Sequence, residues 1–140
     1  MKILLAADGS DYTRQMLDYV ATHQAWLGAG AQLTVLTVVP AVPPRAAAVL
    51  APDVLSGYYG DSAEAVLGPV RTLLQDKGIA ATLKHRVGHA ADEIAKEAKE
   101  SGADLIVMGS HGHGTIGSMV MGSVATKVLA GCKTPALLIR

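Results

Sequence analysis

Residues 105–117 run Leu105-Ile106-Val107-Met108-Gly109-Ser110-His111-Gly112-His113-Gly114-Thr115-Ile116-Gly117. Four continuous apolar residues without polar alternation predict a strand buried on both faces, the kind found in parallel sheets. The glycine-rich loop that follows leads into a helical pattern over 118–130, with Met121, Val124, Val128 and Leu129 on one face. Glycines let main-chain N–H groups approach an anion closely, and the helix N-terminus beyond adds a favourable dipole. The strand, loop and helix together read as a cradle for phosphate. Ser118 and Ser123 offer hydroxyl donors. The alternative is a βα loop whose glycines serve only its turns.

Working outward, the same alternation recurs. Ile3-Leu4-Leu5-Ala6-Ala7 is an apolar run closed by Asp8-Gly9-Ser10, a strand and a turn. Helical spacing over 11–27 includes Met16, Leu17, Val20 and Leu27, and Gly28 and Gly30 stop it. Residues 33–39, rich in Val and Thr, predict a second strand ended by Pro40. Pro40, Pro43, Pro44, Pro52, Gly57 and Gly60 make 40–60 the longest irregular stretch, a lid or binding loop. Tyr58 and Tyr59 lie in it, placed to close over a ligand or to meet a partner. An amphipathic helix spans Val66 to Leu74 and either kinks at Pro69 or begins there. An edge strand with Lys84, His85 and Arg86 is expected over 80–86, a helix over 90–101 and a last strand over 136–139. Strands alternating with helices imply a single α/β domain over residues 1–140: an open parallel sheet, helices on both faces, Rossmann-like. Such sheets bind ligands beyond the carboxyl ends of their strands. Asp8, the Val38-Val39 strand end and the Gly109 loop all fall there.

Composition narrows the function. The 140 residues carry 12 Lys+Arg against 12 Asp+Glu, which argues against nucleic-acid binding. No apolar run approaches the length of a membrane span. A lone cysteine, Cys132, excludes an internal disulfide and suits a reducing cytoplasm. The neutrality conceals an asymmetry, because no Asp or Glu follows Asp104, whereas Lys127, Lys133 and Arg140 do. The last quarter of the chain can therefore hold an anion without local repulsion. Aromatics are 4% of residues and Phe is absent. The walls of a ligand site are thus expected to be aliphatic rather than aromatic.

Gly112-His113-Gly114-Thr115-Ile116-Gly117 matches G-x-G-x-x-G in form. The dinucleotide reading also needs an acidic residue about 20 positions on, and none exists. No glycine precedes Lys127 or Lys133 as the Walker pattern requires. His111 and His113 form an H-x-H pair that lacks further metal ligands nearby in sequence. His85 and His89 are expected at the surface, and His23 in a packing or surface position. As a strand-end residue, Asp8 reads as forming an Asx turn with Ser10 or capping the next helix. Ser10 or Asp11 is the expected helix N-cap. No nucleophile, base and orienter occur in a recognisable catalytic pattern, so no catalytic residue is assigned.

A second spacing fits more of the chain. Gly109-x2-Gly112-x9-Gly122-Ser123 resembles the ATP-binding signature of the universal stress protein family. Asp8-Gly9-Ser10, the run Gly102 to Gly109 and the closing Thr134-Pro135-Ala136-Leu137-Leu138-Ile139 are similar to that family's opening, fourth strand and last strand. The resemblance implies a five-stranded sheet of order 3-2-1-4-5 with ATP at its carboxyl edge. It places the main chain of Val38 at the adenine, Asp8 beside the adenosine and Gly109 at the ribose. Gly112, Gly122, Ser123 and the Val124 N–H would hold phosphates. Ala7 and Met108 at the strand ends, and His111, His113 and Gly114 in the loop, complete the candidate set. It further implies a homodimer through 136–139, which is an apolar strand in need of pairing. Where the family often has basic residues, this chain has His113, Ser118 and Met119, so AMP or cyclic AMP stands as an alternative to ATP. The expected function is a nucleotide-binding stress-response module, with Mg²⁺ admitted alongside the nucleotide. The rivals are a weak Mg²⁺-dependent ATPase or phosphotransferase, and an interaction protein with an empty pocket.

Overall fold

The computed structural model describes residues 1–27, 30–113 and 121–140. Five strands, β1 (Lys2–Ala6), β2 (Gln32–Val39), β3 (Thr82–Val87), β4 (Leu105–Gly109) and β5 (Ala136–Ile139), form one sheet of order β3-β2-β1-β4-β5. Every pairing is parallel. The order reverses between β1, which leads outward to β2 and β3, and β4, which leads to β5. The crevice beyond the carboxyl ends of β1 and β4 is therefore the switch point where such sheets bind ligands.

Successive strand side chains point to opposite faces, and here both faces are apolar. Ile3, Leu5, Val35, Val39 and Val107 pack on one side with Met16, Leu17 and Val20 of α1 (Asp11–Thr22) and Leu67, Val70 and Leu74 of α4 (Pro52–Asp76). Leu4, Leu36, Ile106 and Met108 pack on the other side with Ala91, Ile94 and Ala98 of α5 (Ala90–Ser101) and Ala125 and Val128 of α6 (Ser123–Gly131). Aliphatic residues fill both layers, as the near absence of aromatics requires.

Several boundaries differ from the sequence reading. The expected helix over 11–27 is α1 followed by a short α2 (Gln24–Leu27). At the break, His23 folds back, its ring stacked on Tyr19 at 4.0 Å and its Nδ1 2.8 Å from the Tyr19 carbonyl. The expected irregular stretch 40–60 contains α3 (Pro44–Ala48) and the first turns of α4. Its prolines start helices: Pro44 and Pro52 occupy first helical positions, where a missing N–H costs nothing. Tyr58 and Tyr59 consequently sit on a helix, and the Tyr59 hydroxyl accepts from the Val42 N–H at 2.9 Å. Helix α4 continues through Pro69 without a new start there. The third strand starts two residues later than the expected 80–86 and ends one later. Helix α6 begins at Ser123, after Gly122 at the N-cap position, so Met121 and Gly122 of the expected 118–130 helix precede it. Residues 118–120 lie outside the described residues.

Edge strand β3 is covered by α5 through a charged cluster. Glu97 is buried, accepting from Lys84 Nζ and Arg86 Nε, each at 2.7 Å. Arg86 also reaches Glu93 at 3.3 Å and Glu100. Burial pushes the Glu97 carboxyl up, but the hydrogen bonds from Lys84 and Arg86 outweigh it and hold it below the ordinary range. Hydrogen bonds to Glu97 and Glu100 in turn raise the Arg86 guanidinium above its ordinary value.

Candidate functional site

The turn from β1 into α1 is built around one side chain. Gly9 adopts φ +81°, a conformation that L side chains rarely take. The Thr13 hydroxyl, on the first turn of α1, accepts from the Asp8 N–H at 3.0 Å and the Gly9 N–H at 3.2 Å. It donates to Asp8 Oδ1 at 3.1 Å, and that oxygen also accepts from the Ser10 N–H at 2.9 Å. The last contact is the Asx turn expected as one reading of Asp8. Ser10 occupies the N-cap position, yet its hydroxyl makes no cap bond and is buried without a partner among the described residues. Burial pushes the Asp8 carboxyl up. Contacts with Ser10 and Thr13, aided by the nearby charge of His113, outweigh that and hold it below the ordinary range.

Asp8 Oδ2 faces the other way, toward the loop after β4. The His113 N–H points at it from 3.4 Å, and His113 Nε2 donates to the Asp8 carbonyl at 2.8 Å. Packing here explains the glycines. A Cβ on Gly112 would stand 2.4 Å from Asp8 Oδ2, and one on Gly109 2.5 Å from Tyr12 Cβ. A Cβ on Gly122 would meet the Ser110 carbonyl and His111 Cα, both at 3.1 Å. The loop is anchored at both ends: the Ser110 N–H donates to the Ile139 carbonyl of β5 at 2.8 Å, and the Gly122 N–H to the Ser110 carbonyl at 2.6 Å. Ser110 itself is buried, its Oγ 2.8 Å from His111 Nδ1, and the His111 ring lies 5.3 Å from that of Tyr12.

These elements enclose a cavity of about 430 Å³ at the carboxyl edge of the sheet. Ala7 and Asp8 line it from just beyond β1, Val38 from β2, and Met108 and Gly109 from β4. His111, Gly112 and His113 contribute from the loop, and Gly122, Ser123 and Val124 from the start of α6. The structure thus brings together every candidate residue it describes. Gly114 and Ser118 lie outside the described residues. Sequence reasoning missed Tyr12, Thr13, Thr37, Ser62, Val66 and Ile94, which also line the walls. Ser62 and Val66 carry a faint signal, a helical i, i+4 spacing. Tyr12 and Thr13 carry none, since nothing in the linear pattern aims the first turn of α1 at the loop after β4. Tyr12 puts an aromatic ring on a wall that composition led one to expect to be aliphatic.

Among the described residues no three His, Cys, Asp or Glu side chains gather to hold a metal ion. His85 and His89 are exposed, as expected. No helix of the described residues is long and apolar enough to cross a membrane.

The glycine spacing and the Asp8 turn converge on one cavity in a 3-2-1-4-5 sheet, and the profile of the universal stress protein family matches residues 1–140. The chain belongs to the universal stress protein family. It is 32% identical to the universal stress protein YxiE of Bacillus subtilis, covering 99% of this chain and 98% of that one. It is 35% identical to a Thermus aquaticus universal stress protein, covering 99% and 97%. Against the Synechocystis universal stress protein Slr1230 it is 28% identical and spans only 42% of that protein's length. Two solved structures share the fold. A universal stress protein of Archaeoglobus fulgidus in complex with dAMP has a TM-score of 0.71 at 22% identity, with 100% of this chain and 98% of that chain covered. A universal stress protein in complex with cAMP has a TM-score of 0.69 at 24% identity, with 100% and 96% covered.

Proposed function

We propose that this universal stress protein is an adenine-nucleotide-binding module that acts in stress response as a regulator or sensor, with ATP as its ligand and Mg²⁺ alongside. The observation that carries the reading is the convergence of Gly109, Gly112, Gly122 and Ser123 with Asp8 on one cavity at the switch point. The first residues of α6 line that cavity, so its N–H groups and dipole are available to an anion. No acidic residue follows Asp104 to oppose a phosphate. In this reading the Val38 main chain and the walls from Ala7, Met108 and Tyr12 take the base. Gly109 lies at the ribose, Asp8 beside the adenosine, and Gly112, Gly122, Ser123 and the Val124 N–H hold phosphates. His111, His113 and Gly114 border the phosphates.

Nucleotide binding would bias the population that partners sense. The dAMP and cAMP complexes of other family members support an adenine ligand. One observation favours fewer phosphates: no Lys or Arg lines the cavity among the described residues. AMP or cyclic AMP is therefore the second reading. The proposal includes a homodimer through β5, an apolar strand at the sheet's edge that pairs only with β4 among the described strands, and a cytoplasmic location.

Mass spectrometry of nucleotide released from the purified protein tests this. An adenine nucleotide at near-equimolar yield, with no sustained turnover on added Mg²⁺-ATP, is the expected result. Sustained Mg²⁺-dependent hydrolysis abolished by Asp8→Ala would replace the regulatory reading with an enzymatic one.

A further inference from the structure

The cavity places two polar side chains from the β1–α1 turn side by side, Asp8 exposed at the mouth and Thr13 only 5% exposed behind it. A threonine hydroxyl has one proton to donate and two lone pairs to accept with. Here all three are used: the lone pairs by the Asp8 and Gly9 N–H groups, the proton by Asp8 Oδ1. Thr13 therefore has nothing left to offer a ligand, although it lines the cavity. What it does is fix Asp8. Oδ1 is held within the turn by the Thr13 hydroxyl and the Ser10 N–H. That constraint turns Oδ2 outward, against Gly112 and toward the His113 N–H.

The neighbouring hydroxyl cannot share this task. Ser10 Oγ makes no hydrogen bond among the described residues, and Ser10 acts on the carboxylate through its N–H. Without the Thr13 hydroxyl, two N–H groups lose their acceptor and Oδ1 keeps only the Ser10 N–H to hold it in the turn.

We propose that Thr13 is a positioning residue: its saturated hydroxyl locks the Asp8 carboxylate with Oδ1 in the turn and Oδ2 against the loop after β4, and so sets the wall that a ligand meets. The identity of that ligand rests on the adenine-nucleotide reading. The lock itself does not, and the experiment separates the two. In ligand-free protein, carbon-detected NMR follows the Asp8 carboxyl through its titration in wild type, Thr13→Val and Thr13→Ser. Thr13→Val removes a bond that stabilises the charged form, so its midpoint rises toward the ordinary carboxylate value. Thr13→Ser, which keeps the hydroxyl, restores the wild-type midpoint. An unchanged midpoint in Thr13→Val overturns the proposal.

Calorimetric titration with ATP supplies the second arm. Thr13→Val weakens binding about five- to tenfold, the scale of one hydrogen bond to a charged group, and Thr13→Ser recovers it. Combined with Asp8→Asn, Thr13→Val adds no further loss, because it acts through Asp8. A Thr13→Val protein that melts earlier but binds ATP like wild type would reduce Thr13 to a structural role, as would fully additive losses in the double variant. If Thr13→Val does not fold, Thr13→Cys takes its place, since a thiol donates and accepts only weakly. Wild type that binds no ATP overturns the nucleotide reading, while the carboxyl titration still decides the lock.

Discussion

Two charged regions of this chain use their carboxylates in opposite ways. On the α5 face of β3, Glu97 is buried and both its oxygens are taken by Lys84 and Arg86, with Glu93 and Glu100 closing around the guanidinium. The charges there compensate one another inside the protein. At the carboxyl edge of β1, Asp8 meets no cationic cluster among the described residues: Oδ1 is held by Ser10 and Thr13, and Oδ2 is turned to Gly112 and the His113 N–H of the loop that lines the cavity. The first arrangement holds an edge strand to a helix. The second sets a loop at the rim of a space where a ligand fits. Both carboxylates are held below their ordinary range against the effect of burial, so a shifted titration alone does not distinguish structure from site. The direction of the second oxygen does.

Breaking the first region should have the largest effect on stability and none on binding. Arg86→Met leaves the buried Glu97 with Lys84 as its one cationic partner. A buried charge stripped of a partner costs about 3 kcal/mol. Urea unfolding should show that loss, and ATP affinity should stay at the wild-type value.

Breaking the second region should reverse the pattern. In Gly112→Ala the new methyl stands 2.4 Å from Asp8 Oδ2, so carboxylate or loop must move. Overpacking of this kind costs about 1–2 kcal/mol, and the displaced cradle should weaken ATP about tenfold or more. Calorimetry paired with thermal melting would measure both.

Acid should sharpen the contrast with a smaller effect. A carboxyl whose folded pKa is depressed contributes stability that is complete above its unfolded value, about 4, and is lost as pH falls through the folded one. Unfolding free energy measured from pH 6 downward should therefore hold steady and then decline below about pH 4. Asp8→Asn should flatten only part of that decline, because Glu97 contributes the rest. Smallest of all, Arg71→Ala removes an exposed pair with Glu64 that belongs to neither region. It should leave both melting midpoint and affinity unchanged.

The sheet and half of this contrast were legible in the sequence. Continuous apolar runs such as Leu105–Met108, short and bounded by turn residues, read as strands covered on both faces, and the spacing of Gly109, Gly112 and Gly122 marks close approaches that a Cβ forbids. The prolines of 40–60 misled the reading, because proline at a helix start and proline in a loop look alike until the following residues are placed. Lys84 and Arg86 were visible as polar residues of an edge strand and 90–101 as a helix, but not that Glu97 of that helix is buried against them. The lock on Asp8 was invisible for a related reason. Thr13 lies in an ordinary amphipathic helix, and only the bend at Gly9 brings its hydroxyl back onto the strand end.

Calorimetric titration of the nucleotide-free protein with ATP, AMP and cyclic AMP tests the central claim most directly. The account predicts saturable binding of at least one of the three at one site per chain, weakened by Gly112→Ala and untouched by Arg86→Met. No binding heat with any of them, at a range of temperatures, would contradict it.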